Sequence, residues 1–441
     1  QNICDILKSL FSVLQPGEIY QRYSSDVPQL ITHAYPTVRS LVLHEILSIV
    51  SKPEGLELLI TDINLLTAVV NRIGDEELNV AKLAMQIIRE IGKSRQGLHV
   101  LYSGEILRSI ARLLVKNDVH SFRIYEAVVD IAKSSQEGLD ASIQSGFLNS
   151  LINTLDSNDV LIQLNALEVM TELALAPGGL GYLKDQQVLE QLAQKIDKAH
   201  ENPILNLLIP GLMKFFGSVA RREPNEIFST YPVVVSSLFE VIDNGEPNIL
   251  GVALDTLGHV ASSVDGKYAL QALGDSMPCA LQKMSVIVQK MPTELRIRAL
   301  NNLALILNVN QHELHDNRIL SLTKSWFDSL CDDPLGMIVS LCRLPFADIR
   351  KASLEVLRIV GSQAWGQEYI AVYPGLIEFL LNRSVESFKE CTDIKFEIVK
   401  NLSEAESGMF DADTLNKFKE FVNQGPFYAD PITQIAIEGA T

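Results

Sequence analysis

The sequence is poor in the features that mark most enzymes, membrane proteins and secreted scaffolds. No apolar run reaches about 18 residues, so no membrane-crossing helix is expected. Cysteine is scarce: Cys4, Cys279, Cys331, Cys342 and Cys391 are scattered and odd in number. That pattern fits free thiols in a reducing compartment rather than a disulfide framework. Basic residues are outnumbered, 37 against 54 acidic, and the net charge of −17 argues against nucleic acid or an anionic membrane as principal partner. There is no G-x-S-x-G motif. Gly178, Gly179 and Gly181 are not followed by a Lys-Ser/Thr pair, which excludes a phosphate loop. His312 and His315 stand at i, i+3, whereas a zinc helix of the H-E-x-x-H type needs i, i+4. Cys331 and Cys342 have no histidine beside them and read as packing residues. No catalytic residue, metal site or cofactor is expected. The chain begins at Gln1 rather than methionine and shows no secretory signal, so it reads as a fragment lacking its natural start.

What is present is repetition. With 47% hydrophobic and 21% charged residues the chain can fold throughout, and its apolar residues follow the 3.6-residue period of amphipathic helices. Val38, Val80, His120, Ile162, Leu208, Ile249, Leu295 and Ile349 each open a long helical segment. Eight residues on stand Ile46, Ile88, Val128, Met170, Phe216, Leu257, Leu303 and Leu357. Eleven residues on stand Ile49, Ile91, Ile131, Leu173, Val219, Val260, Ile306 and Val360. The intervals of 42, 40, 42, 46, 41, 46 and 54 residues match the period of about 40–47 of HEAT and armadillo arrays. A glycine follows each of several long segments, at Gly55, Gly97, Gly138, Gly179 and Gly266. Helix ends that turn left-handed would call for it.

The expected fold is all-α, a right-handed armadillo/HEAT-like α-solenoid superhelix of roughly nine to ten repeats. Residues 1–423 read as one repeat domain with an incomplete first repeat, and 424–441 as an extended or docked tail. Asn2 to Leu14 is expected to be the last helix of a truncated repeat, and Glu18 to His33 two short helices. Pro210 is expected to kink a long helix over 204–220, and residues 309–335 to form an insertion.

The chemistry of such an array lies on a surface. In armadillo-type arrays the third helix of each repeat lines a concave groove, with positions six and ten past the opening residue facing it. The candidate partner-binding residues in that register are Gln86, Glu90, Glu126, Asp130, Glu168, Glu172 and Asp255. Glu90, Glu126, Asp130, Glu168 and Glu172 would form an acidic stripe over three repeats, suited to a basic partner. The alternative is a merely solvated acidic face. Glu126–Asp130 and Glu168–Glu172 are like-charge i, i+4 pairs, each costing roughly 0.2–0.5 kcal/mol when exposed. Nuclear-import adaptors place tryptophan and asparagine ladders at these positions. Here Trp326 and Trp365 lie elsewhere and read as core, which disfavours an adaptor gripping an extended peptide in transport or adhesion.

Several stretches carry a resemblance to a known family: KFFGSVA (214–220), YPVVVSSLFEVID from Tyr231, GVALDTLGHVASSVDGKYAL (251–270), SWFDSL followed by DPL (325–335), and QGPFYADPITQIAIEGA from Gln424. Together they resemble the 26S proteasome non-ATPase regulatory subunit 5 family, over essentially the whole chain. The family has further N-terminal sequence, about one to two repeats. The resemblance implies a chaperone for assembly of the proteasome regulatory particle base. It would hold the C-terminal domain of a proteasomal AAA ATPase subunit in the groove, in an intermediate with two ATPase subunits and the large non-ATPase scaffold subunit. It would leave before or as the base docks on the core particle, and consume no ATP. A monomer when free, located in the cytoplasm and also the nucleus, is the accompanying expectation. The resemblance supplies no binding motif residue by residue.

Overall fold

A computed structural model of the chain describes residues 2–11, 13–14, 18–386, 388–405 and 408–428. Among these the secondary structure is 30 α-helices with a few short 3-10 turns and no strand. The chain divides into two compact units, Gln1–Phe215 and Phe216–Thr441. Within the first unit the long helices Pro36–Val50, Leu78–Gly92, Asp118–Ser134 and Val160–Ala174 pack each on the next. Within the second, Pro247–Ala261, Thr293–Leu307, Ala347–Gly361 and Lys389–Ser403 do the same. Two shorter helices join most neighbours, as Arg95–Leu101 and Gly104–Leu114 do, and pack on their counterparts in adjacent repeats. This consecutive packing is that of an all-α solenoid.

The periodic positions are the core. Every residue named eight and eleven places past an opening position is buried, from Ile46 and Ile49 to Leu357 and Val360. Each such side chain stabilises the fold by roughly 1.5–3 kcal/mol relative to exposure. Val38, Val80, His120, Ile162, Ile249, Leu295 and Ile349 are each the third residue of their helix. Leu208 is the exception. The chain forms a short helix Pro203–Asn206 and restarts at Ile209–Arg222, so Pro210 is the second residue of a new helix rather than a kink inside an old one. Proline is well tolerated there because the first-turn N–H groups have no intrahelical partner.

The recurring glycines are explained by close approach, not by left-handed dihedrals. None of Gly55, Gly97, Gly138, Gly179 or Gly266 has positive φ. Each lies near the start of the helix that follows a long helix, and a Cβ there would fall on the carbonyl oxygen eleven places past the opening position. The clash would be 2.3 Å from Ile49 O at Gly55, 2.0 Å from Ile91 O at Gly97 and 2.4 Å from Ile131 O at Gly138. It would be 1.9 Å from Leu173 O at Gly179 and 2.0 Å from Val260 O at Gly266. Gly366, which the sequence reading passed over, meets Val360 O at 2.0 Å. In three cases a serine cap completes the turn: Gly97, Gly138 and Gly266 donate their N–H to Ser94, Ser135 and Ser263 Oγ.

A second device closes the entry to the long helices. The residue one past the opening position donates to a carbonyl at the end of the preceding segment. Arg39 reaches His33 O at 2.8 Å, Gln163 reaches Ser157 O at 2.6 Å and Ser121 reaches Leu114 O at 2.5 Å. In the second unit Arg296 reaches Val288 O at 2.7 Å and Arg350 reaches Leu344 O at 3.0 Å. These bonds satisfy carbonyls at or just past helix ends, where no intrahelical donor reaches.

Trp326 and Trp365 are buried, as expected. The stretch read as an insertion holds the two ordinary short helices of a repeat, Asn317–Asp328 and Pro334–Cys342, capped by Asp316 and Asp333. Its added length sits in the connection after Leu307, which carries the Gln311–Glu313 turn. A further helix, Ala412–Gln424, follows the array, with Asp411 accepting from Thr414 N and Gly425 at φ 86 beyond its end. Of the expected tail, residues 429–441 lie outside the described residues.

Lys267 stands where the other repeats carry Leu98, Leu139 and Leu180, directly after the marker glycine, and it is equally buried. Its Nζ donates to the Ala261 carbonyl and, at 3.3 Å, to the Leu305 carbonyl, bridging the ends of two long helices. Burial lowers its pKa to about 7, with Glu313 opposing. An unfolded lysine keeps its proton to about pH 10.4. Between these values the unfolded chain binds more protons, so stability rises with pH. Denaturant titrations at pH 7, 8 and 9 should show native stability gaining on that of Lys267→Met by up to about 1.4 kcal/mol per pH unit. The glycine contact predicts that Gly97→Ala lowers stability by roughly 1–3 kcal/mol. Gly181→Ala, whose Cβ would meet nothing within 4 Å, should be neutral or stabilising by about 0.4–1 kcal/mol. Thermal melts of the two variants check the contrast.

Candidate functional site

The residues four places past the opening positions, from Val42 and Ala84 to Ala299 and Ser353, are buried like those at eight and eleven, and positions six and ten lie on the other side of the long helices. Gln86, Glu126, Glu168 and Glu172 are exposed, and Glu90 and Asp130 are half-buried. All six lie in the first unit, on three successive packed helices. Asp255 is half-buried and lies in the second unit.

Ion pairs thin the expected stripe. Arg89 on one long helix pairs with Asp130 on the next, and Lys133 pairs with Glu172 one repeat further on. Glu90 is paired within its own helix, 2.6 Å from Lys93 Nζ. Asp255 lies 2.6 Å from Arg298 and accepts from Asn302 Nδ2 at 2.7 Å. The row at position ten is thus mostly neutralised by the neighbouring repeat. Sequence reasoning misses these pairs because Arg89 and Lys133 stand 41 and 39 residues from the carboxylates they meet, on a neighbouring repeat.

Glu126 and Glu168 differ. Among the described residues neither makes an ion pair. Partial desolvation first, then the charges of Asp130 and Glu168, push the Glu126 carboxyl above its ordinary range, with Arg123 and Lys82 opposing. Arg123 is itself committed, donating to Ile73 O at 2.9 Å and Asp75 O at 2.7 Å. The unsatisfied acidity of this face is therefore centred on Glu126 and Glu168, and it is available to a cationic group from outside.

Other candidates for chemistry resolve as structure. Among the described residues no group of three or more His, Cys, Asp or Glu is placed to hold a metal ion. His312 sits in the short Gln311–Glu313 turn and Gly179 opens the Gly179–Asp185 helix. All five cysteines are free, and burial pushes the Cys342 thiol well up from its usual range. No helix among the described residues is long and apolar enough to cross a membrane.

The fold and this surface define a helical-repeat protein whose long helices carry unpaired carboxylates on an exposed face. A family model described as the proteasome non-ATPase 26S subunit matches residues 1–441, and the chain belongs to that family. It is 31% identical to the 26S proteasome non-ATPase regulatory subunit 5 of Bos taurus over 438 residues, 99% of this chain and 87% of that protein. The Homo sapiens protein of the same name is also 31% identical with the same coverage. The Drosophila melanogaster one is 26% identical over 422 residues, covering 95% of this chain and 81% of that protein.

Because Glu126 is held above its unfolded value, it opposes folding at neutral pH, and that penalty fades as pH falls and the carboxyl protonates. Glu126→Gln should raise stability at pH 7 by roughly 0.2–0.5 kcal/mol. The gain should shrink toward pH 4, as read from urea midpoints.

Proposed function

We propose that this chain is a chaperone for assembly of the 26S proteasome regulatory particle base, in which the exposed face of its long helices holds the C-terminal domain of an AAA ATPase subunit. The observation that carries the reading is membership of the family along all 441 residues, on a repeat scaffold whose long helices carry Glu126 and Glu168 on an exposed face. The mechanism is steric. A C-terminal domain held on the chaperone cannot dock on the core particle, and no ATP is needed to hold it. The large non-ATPase scaffold subunit joins the same intermediate. In this reading the chain works as one repeat domain, monomeric when free, in the cytoplasm and the nucleus.

Titration with the purified C-terminal domain of each of the six proteasomal ATPases, at low and high salt, tests it. Tight binding to one or two of them is expected, weakening as salt screens the contact. Glu126→Lys with Glu168→Lys should cost roughly tenfold in affinity, about 1.4 kcal/mol, with helicity intact by circular dichroism. Binding to none rejects the chaperone reading. Unchanged affinity in the double variant moves the contact off Glu126 and Glu168.

A further inference from the structure

From the long helix Leu78–Gly92 to the one that starts at Ile209, four successive helix entrances carry an exposed apolar side chain. Leu78 is 52% exposed, Val119 60%, Leu161 68% and Leu207 62%. They occupy the first or second residue of successive long helices, or, for Leu207, the break just before Ile209–Arg222. In the second unit the places of Val119 and Leu161 are taken by Asn248, Glu294 and Asp348. Phe346 at 57% and Phe388 at 45% are exposed just before two long helices of the second unit, but a run of four successive entrances is not the scattered exposure of an ordinary surface.

The charge beside this row has one prevailing sign. Glu76, Asp118, Asp159 and Glu201 are exposed along the same edge, and among the described residues none makes an ion pair. Lys116 and Lys198 are the exposed cations of the adjoining turns. Carboxylates at helix N-termini are favourable in their own right, but that does not account for the leucines and valine between them. About two turns further along the same helices lie Glu126 and Glu168. At Val119 and Leu161 the apolar row has acid on both sides, while Lys82 and Gln86 follow Leu78 and Lys214 follows Leu207.

We infer that this edge is the seat of a basic amphipathic helix from the partner, laid across the long helices with a large apolar residue at about every seventh position. The spacing carries the geometry. Packed helices lie about 8–10 Å apart, and seven residues of α-helix rise about 10.5 Å, so one apolar side chain meets each repeat. Three steps, from Leu78 to Leu207, take roughly 21 residues. Lysine or arginine flanking the apolar stripe meets the carboxylates on either side. A segment in extended conformation would advance the same distance in about three residues, and Asn117 and Asp159 already cap the helix N–H groups that it would need. The inference rests on the chaperone reading only for which protein carries the helix.

The test uses the full chain and a synthetic 21-residue helical peptide with leucine at every seventh position and lysines flanking it. A scrambled peptide of the same composition and a proline-interrupted version serve as controls, with binding read by fluorescence anisotropy. The designed peptide should bind at least tenfold more tightly than either control. Val119→Ser, Leu161→Ser and Leu207→Ser combined should remove that preference while the melting curve keeps its cooperativity. Equal binding of designed and scrambled peptides, or an unaltered triple variant, overturns the docking row, and tighter binding of the interrupted peptide overturns a helical occupant. The six ATPase domains, titrated in parallel, separate the two readings. Peptide preference with no domain bound removes the chaperone reading and leaves the row standing. A domain bound equally by native chain and triple variant, without peptide preference, does the reverse.

Discussion

The structure depends on how each long helix hands the chain to the next repeat. At the end of six of the long helices, the carbonyl eleven places past the opening residue lies so close to the following helix that only glycine fits there. At the entrance of five of them, a side chain one place past the opening residue bonds the carbonyl that closes the preceding segment. Both contacts serve backbone groups at helix ends, which an α-helix cannot satisfy internally. A solenoid has many helix ends per residue, so these closures recur through the array, and the apolar core between them follows from the register they set.

That register also decides what reaches the surface. Once the rows at four, eight and eleven are buried, the rows opposite them must face outward, whatever their chemistry. The ten-position carboxylates are absorbed into pairs that cross from one repeat to the next, Arg89 with Asp130 and Lys133 with Glu172. Such exposed pairs contribute little to stability, but they remove charge from the face. What survives is narrower than the composition suggests: Glu126 and Glu168 on the face, and the acidic, apolar edge at the helix entrances.

Much of this was legible in the sequence. A period visible in two independent apolar rows located the long helices to within a few residues, and every residue in those rows is buried. The marker glycines were found for the wrong reason, because a glycine at a helix junction has two uses and spacing alone does not separate left-handed φ from a carbonyl at 2 Å. Gly366 keeps the geometry between Trp365 and Gln367, neighbours unlike those of the other marker glycines. The helix Ala412–Gln424 had its signals in plain view, Asp411 before it and Gly425 after it. The surface was least legible. Which carboxylates stay free depends on partners some 40 residues away, and these become neighbours only when one repeat is stacked on another.

The two units close the same seam with different chemistry. In the first, Leu98, Leu139 and Leu180 follow the glycine, and apolar contact of that kind is non-directional. In the second, Lys267 bonds Ala261 and Leu305 carbonyls, and Gln367 bonds the Gly361 carbonyl at 3.1 Å. Gln363 nearby ties Leu307 O to Thr323 and Trp365. Hydrogen bonds demand distance and angle, so the helix ends of the second unit are held by geometry as well as by buried area. The exposed apolar edge belongs to the unit whose seams are apolar. A docking helix there adds area to a surface already organised by area, and its carboxylate neighbours supply the orientation that hydrocarbon cannot.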